Sequence, residues 1–217
     1  MNARTRILER IGHALGRDKP APIEIEQMEN YFRGRARGPG PTITGDLSER
    51  LRERVLMLGS SVEQVATLAA VPRAVAQYLD THRLPRHAVC WPEFAGLDWQ
   101  AQGINMEARS AIESDLIGMT GAFCAIAETG TLMLLSGPAR PATTSLLPET
   151  HIAIVPLGRI VATMEDAWGF LRAEGKPMPR AVNFVSGPSR TADIEQTVTL
   201  GAHGPYRVHI VIVAQTA

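Results

Sequence analysis

The stretch Asp46–Trp91, DLSERLRERVLMLGSSVEQVATLAAVPRAVAQYLDTHRLPRHAVCW, decides the fold class. Asp46-Leu47-Ser48-Glu49 has capping-box spacing, and Leu47, Leu51, Val55 and Leu58 repeat as one helical face before Gly59, which predicts a helix. Residues 61–68 then carry a strand-like apolar pattern. Pro72 to His82 follows as a second helix with Val75, Tyr78 and Leu79 inward, and His87 to Trp91 as a further apolar strand. Helices alternating with strands predict an α/β layer fold whose sheet is mostly parallel with flanking helices.

Downstream of Asp115 the pattern becomes strand-dense. Phe123 to Ala127, Thr131 to Ser136 and His151 to Pro156 read as strands broken by Gly130 and by the Pro-containing loop 137–148. A β-rich insertion in the α/β core accounts for them. Met164 to Glu174 reads as a helix, and Ala181 to Val185 and Val208 to Ala214 as the last strands. Upstream, Ile7, Leu8, Ile11 and Leu15 form an apolar stripe among arginines, a short basic amphipathic helix. Asp18 to Pro41 is rich in Pro and Gly and reads as an extended arm. The expected organisation is an N-terminal helix and arm over residues 1–41 and one α/β domain over residues 42–217.

In the 217 residues, 22 basic side chains balance 22 acidic ones, and aromatics make up 5%. No global field favours nucleic acid, and stacking platforms for bases are scarce, so no nucleic-acid partner is expected. No apolar run approaches the ~18–20 residues needed to span a bilayer, and the chain opens without a long apolar leader core. A soluble cytoplasmic protein is the expectation. Cys90 and Cys124 both sit in apolar runs, HAVCWP and AFCAIA, where a thiol acts as a small core residue. Two cysteines do not supply a four-thiolate cluster, and the six histidines do not pair at metal-ligand spacing, so neither cofactor nor metal is expected in this chain.

The dinucleotide, P-loop, serine-hydrolase and zincin signatures are absent. Two segments remain as candidates for chemistry. In GAFCAIAETGTLMLLS, Glu128 is a lone carboxylate between apolar strand segments, where desolvation would raise its pKa and suit it to proton transfer or nucleophilic attack. The bland account is a structural glutamate at a turn, bonded to backbone N–H groups of Thr129 to Thr131 or paired with an arginine; Thr129, Gly130 and Thr131 are themselves expected to line a ligand site. In Asn183–Arg207, NFVSGPSRTADIEQTVTLGAHGPYR, an apolar strand breaks into Ser186-Gly187-Pro188-Ser189-Arg190, and Thr191 to Gln196 reads as a helix start. Backbone N–H groups, the Ser186 and Ser189 hydroxyls and the Arg190 guanidinium suit a carboxylate or phosphate. Asp193 and Glu195 complement the helix dipole, bind ligand hydroxyls or balance Arg190. His203 in a Gly-flanked turn, and Arg140 with Thr143, Thr144, Ser145 and His151 in or beside the long loop, are secondary candidates.

The linked motifs GMTGAFCAIAETGTLMLLSG, LLPETHIAIVP and SGPSRTADIEQTVTLGAHGP resemble the lactate-utilisation protein C group of the LUD-domain family, from about Asp46 onward. The resemblance implies a fold similar to the NagB/RpiA/CoA-transferase superfamily, with ligand sites at strand ends. It also implies work beside two iron–sulfur proteins in oxidation of L-lactate to pyruvate, with the iron–sulfur clusters in those partners only. The expected function is a non-redox subunit or accessory factor binding a small carboxylate or nucleotide-like ligand. The alternative is a stand-alone transferase or isomerase using Glu128 as base or nucleophile. Whether the chain forms a homo-oligomer stays open at this level.

Overall fold

The structure, a computed structural model, describes residues 2–16, 21–34, 37–191 and 199–215. Contacts divide the chain into two compact units, Met1–Thr42 and Ile43–Ala217. The first holds α1 (Ala3–Ala14), capped by the Asn2 side chain, and α2 (Pro22–Gly34). The second helix departs from the extended arm expected over 18–41. Pro22 occupies a first-turn position, where its missing N–H costs nothing, and the Glu24 carboxylate accepts the Ala21 N–H at 2.8 Å. Prolines and glycines at the borders made the whole segment read as linker, although they flank a periodic Ile25, Met28, Phe32 stripe.

In the second unit, α3 (Leu47–Met57) starts where Asp46 accepts the N–H groups of Ser48 and Glu49, and buries Leu51 and Val55. There follow β1 (Ser61–Thr67), α4 (Val71–Thr81), β2 (His87–Cys90), β3 (Asn105–Ala108) and β4 (Ile117–Gly121). The middle of the chain adds β5 (Cys124–Ile126), β6 (Thr131–Leu135), α5 (Thr143–Leu146), β7 (Thr150–Pro156), β8 (Ile160–Val161) and α6 (Met164–Ala173). The last elements are β9 (Val182–Val185), β10 (Arg190–Thr191), β11 (Thr199–Leu200) and β12 (Arg207–Gln215).

Six strands form one all-parallel sheet in the order β1-β12-β7-β4-β2-β3. Its middle strands read as continuous apolar runs because they are covered on both faces: Val208 to Val213 and His151 to Val155 are all buried. A second sheet, β8-β5-β6-β9, is the expected β-rich insertion, with β5 parallel to β8 and β6 antiparallel to β5 and β9. It carries its own small core, Cys124, Ile126, Met133, Ala167 and Leu171, under α6. That helix opens on a capping box in which Thr163 and Asp166 satisfy each other's N–H groups. β10 and β11 pair antiparallel, so Thr191 is in a strand and not at the expected helix start. The remainder of that predicted segment, with Asp193 and Glu195, lies outside the described residues.

The buried strand β4, IGMTG, carries no strand pattern in the sequence. Its two glycines lower apparent strand propensity, yet packing requires at least one of them. A Cβ on Gly118 would fall 2.0 Å from the Thr144 carbonyl oxygen and 2.8 Å from Pro148 Cγ, because α5 lies directly on β4. Gly118→Ala therefore forces α5 off the sheet. We expect a loss of about 3 kcal/mol or more in urea denaturation, above the usual overpacking range. Unchanged stability in that variant would mean that α5 does not rest on β4.

Candidate functional site

The two segments singled out in the sequence meet. Leu132 on β6 pairs with Val185 on β9, so the residues just outside the ladder, Thr131 and Ser186, face one another. Their hydroxyl oxygens are 2.6 Å apart, and the Thr129 hydroxyl donates to Thr131 at 2.7 Å. Both turns press on the carboxyl end of α3. Gly130, at φ +69°, would bring a Cβ within 2.9 Å of Arg54 Cβ, and Gly187, at φ +77°, within 2.9 Å of Leu58 Cβ. Only glycine meets the backbone angle and the close approach together. Arg190 donates to the Leu58 carbonyl at 2.7 Å, a cation satisfying a helix C-terminal acceptor.

Around this junction, the Ser189 N–H donates to Pro205 O at 2.8 Å, and the Ser189 carbonyl accepts the Gly201 N–H at 2.9 Å. His203 is exposed on the returning loop. Glu128 is half-buried on the β5–β6 turn, and its N–H donates to Ala162 O at 3.0 Å. Among the described residues none hydrogen-bonds its carboxylate. The junction therefore gathers Thr129, Gly130, Thr131, Ser186, Gly187, Ser189 and Arg190 beside the amino ends of β1, β7 and β12.

Arg140 is elsewhere, at the opposite end of the sheet. Strand order reverses between β2 and β4, since β3 continues toward one edge and β7 and β12 toward the other. In open parallel sheets the crevice outside the carboxyl ends at such a reversal is where ligands sit. A cleft of about 510 Å³ opens there, floored by Ala122, Ile154 and Pro156. On one wall the Trp91 indole donates to Pro141 O at 3.2 Å, tying the long loop to the end of β2. That contact sets the Arg140 guanidinium 5.8 Å from the Trp91 ring centre and 2.7 Å from Glu93 Oε2. Gly121 gives Glu93 its room, since a Cβ there would come within 2.8 Å of Oε1.

On the other wall Arg159 lies over Phe123 and Phe170 at 5.1 and 4.7 Å and donates to Glu174 at 2.9 Å. Lys176 and, less strongly, Arg159 hold the Glu174 carboxyl below its usual range, so it stays ionised at neutral pH. Three cationic side chains thus stand against two carboxylates in the cleft, leaving one positive charge in excess. A shallower groove of about 710 Å³ along residues 95–106 has Asp98 as its sole charged lining residue and offers no cation to an anion.

Sequence reasoning missed Glu93, Arg159, Glu174 and Lys176, which carry no local motif. It also missed a polar chain across β1 and β12: Ser61 Oγ lies 2.8 Å from His209 Nδ1, and Glu63 Oε1 3.0 Å from His209 Nε2. The Tyr78 ring stacks on that imidazole at 4.0 Å. Alternation along β1 puts Ser61 and Glu63 on one face, and the Ser61–His209 register completes the contact. Cys90 and Cys124 are both buried, and burial pushes their thiols up to about 11 and about 12. Among the described residues no group of three or more His, Cys, Asp and Glu side chains is placed to hold a metal ion, and no helix is long and apolar enough to cross a membrane.

The LUD domain matches residues 57–213, nearly three quarters of the chain. The chain belongs to the LUD-domain family. A lactate utilization protein C of Exiguobacterium sp. is 41% identical over 118 residues, 53% of this chain and 51% of that protein. The chain thus aligns with about half the length of that relative. A lactate utilization protein C 1 of Bacillus mycoides is 29% identical over an alignment covering 97% of this chain and 96% of its own. A crystal structure of a DUF162 family protein from Deinococcus radiodurans superposes with a TM-score of 0.56 at 24% identity, over 80% of this chain and 100% of that one, and shares the fold.

Within this LUD domain His151 is fully buried on β7, its Nε2 2.7 Å from the Thr120 hydroxyl and its Nδ1 without a partner among the described residues. Burial lowers its pKa to about 4. The unfolded chain takes up a proton near pH 6.5 that the folded chain refuses until about pH 4, so this stability is present above pH 6.5 and is lost as pH falls toward 4. The loss attributable to His151 should reach roughly 3 kcal/mol. Unfolding free energies measured from pH 7 to 4 should fall less steeply in His151→Gln than in the wild type; parallel curves would remove His151 as the cause.

Proposed function

We propose that this LUD-domain chain is a non-redox subunit or accessory factor in the oxidation of L-lactate to pyruvate. In this reading it works beside two iron–sulfur partner proteins and binds a small organic anion in the cleft between Arg140 and Arg159. The observation that carries it is the pair of arginines facing a crevice at the strand-order reversal, with one positive charge in excess. Arg140 spends one terminal nitrogen on Glu93, and a guanidinium offers five N–H donors in a planar fork that fits a carboxylate. An incoming carboxylate meets the same chemistry that Glu93 supplies.

The names of the relatives support the pathway, and the thiols support the non-redox part. A cluster ligand is a thiolate, whereas both cysteines are core residues whose burial favours the neutral thiol. The clusters then belong to the partner chains, and this chain contributes binding and orientation.

Calorimetric titration with L-lactate and pyruvate tests the cleft. Arg140→Gln should weaken binding by about tenfold or more, and Glu93→Gln should tighten it by removing the competing carboxylate. If neither acid binds, or if both variants bind as the wild type does, the anion assignment fails. The pathway assignment is tested separately: the chain should co-purify with the two iron–sulfur proteins, and its deletion should impair growth on L-lactate. Normal growth together with no association would overturn it.

A further inference from the structure

Nine of the nineteen large apolar side chains exposed among the described residues fall between Ile7 and Phe32, although this segment is a small part of the chain. Scattered exposed apolar residues are ordinary; a concentration of this kind marks an interaction surface. On α1 and its C-cap, Leu8, Ile11 and Leu15 recur at spacings of three and four. On α2, Ile25, Met28 and Phe32 repeat the same spacing. These six are between 45% and 69% exposed. Each row is the narrow stripe by which one helix interlocks with another. Neither helix buries a residue, and at 12 and 13 residues each is at the length where an isolated helix is marginal in water.

The charges beside the stripes are opposite. Helix α1 carries Arg4, Arg6 and Arg10 against Glu9, a net +2, whereas α2 carries Glu24, Glu26 and Glu29 against Arg33, a net −2. Packing α1 on another α1, or α2 on another α2, sets like charges side by side; packing α1 on α2 pairs opposite ones. The lengths match as well, about 18 and 20 Å at 1.5 Å per residue. Both stripes are exposed, and each offers the apolar spacing and the charge that the other complements.

We propose that the N-terminal helices are a dimerisation surface, with the basic α1 of one copy seated on the acidic α2 of a second copy and the reciprocal pair closing a four-helix arrangement. The contact is self-complementary, so it ends at two copies instead of growing into a filament. Apolar matching supplies the adhesion, and the opposed charges select α1 with α2.

Light scattering on the full chain tests the stoichiometry. The wild type should be a dimer at micromolar concentration, and the Leu8→Glu, Ile11→Glu double variant a monomer with an unchanged unfolding transition for the LUD domain. The partner is tested by cross-linking. Full-length Ile11→Cys and Met28→Cys chains, prepared separately, mixed and oxidised, should yield a disulfide-linked pair containing one of each. The native thiols are buried and do not compete. Three results overturn the proposal: a wild-type monomer at all concentrations, a dimer that survives the double variant, or no mixed pair while a chain carrying both Ile11→Cys and Met28→Cys closes an internal disulfide, which would mean an intramolecular hairpin.

Discussion

A sheet of six parallel strands imposes a constraint on everything else in the LUD domain. Parallel neighbours are joined by crossovers and not by tight hairpins, so both faces must be covered and the central strands become apolar throughout. All carboxyl ends then point one way and all amino ends the other. The charged cleft stands at the carboxyl ends, and the junction of the glycine–hydroxyl turns stands beside the amino ends. Ala125 and Leu132 of the second sheet contribute to the main core, so the insertion is packed into the domain.

Close backbone approach is the second consequence. Once α5 rests on β4 and two turns rest on the end of α3, there is no space for side chains at Gly118, Gly130 and Gly187. The polar groups brought along must then find partners locally. Thr129, Thr131 and Ser186 do so by linking their hydroxyls, and Arg190 does so by covering the Leu58 carbonyl. Packing explains Gly130 and Gly187, and local hydrogen bonds engage Thr129, Thr131, Ser186 and Arg190, whereas the Glu128 carboxylate has no such partner among the described residues.

Much of the α/β frame was legible in the sequence because burial writes itself as periodicity. Leu51 and Val55 mark the inner face of α3, and the run ending in Val213 marks a strand covered on both sides. What was not legible depends on contacts between distant residues. Strand β4 is obscured by glycines whose reasons are distant in sequence, Thr144 at Gly118 and Glu93 at Gly121, and α2 by border prolines that a first helical turn tolerates. The acidic residues after Thr191 favour a helix start, but its pairing is with Thr199, eight positions on. Arg140 was noticed for its loop, whereas Glu93, Gly121 and Arg159, which complete its surroundings, come from three different strand ends.

The two ends of the sheet also differ in how their charges are held, and this bears on where a ligand can be accommodated. At the junction Arg190 is engaged with a main-chain carbonyl fixed by α3, an acceptor that cannot move without unravelling a helix end. In the cleft Arg140 is engaged with Glu93, a side chain that rotates about single bonds, at a site where both partners are partly open to water. An exposed ion pair of that kind is worth about 0–1 kcal/mol, so an external carboxylate competes with it on nearly equal terms. A rigid, locally satisfied junction and a cleft with exchangeable ion pairs are different materials. The parallel topology sets the second at the strand-order reversal, where its ion pairs can exchange partners without disturbing a helix end.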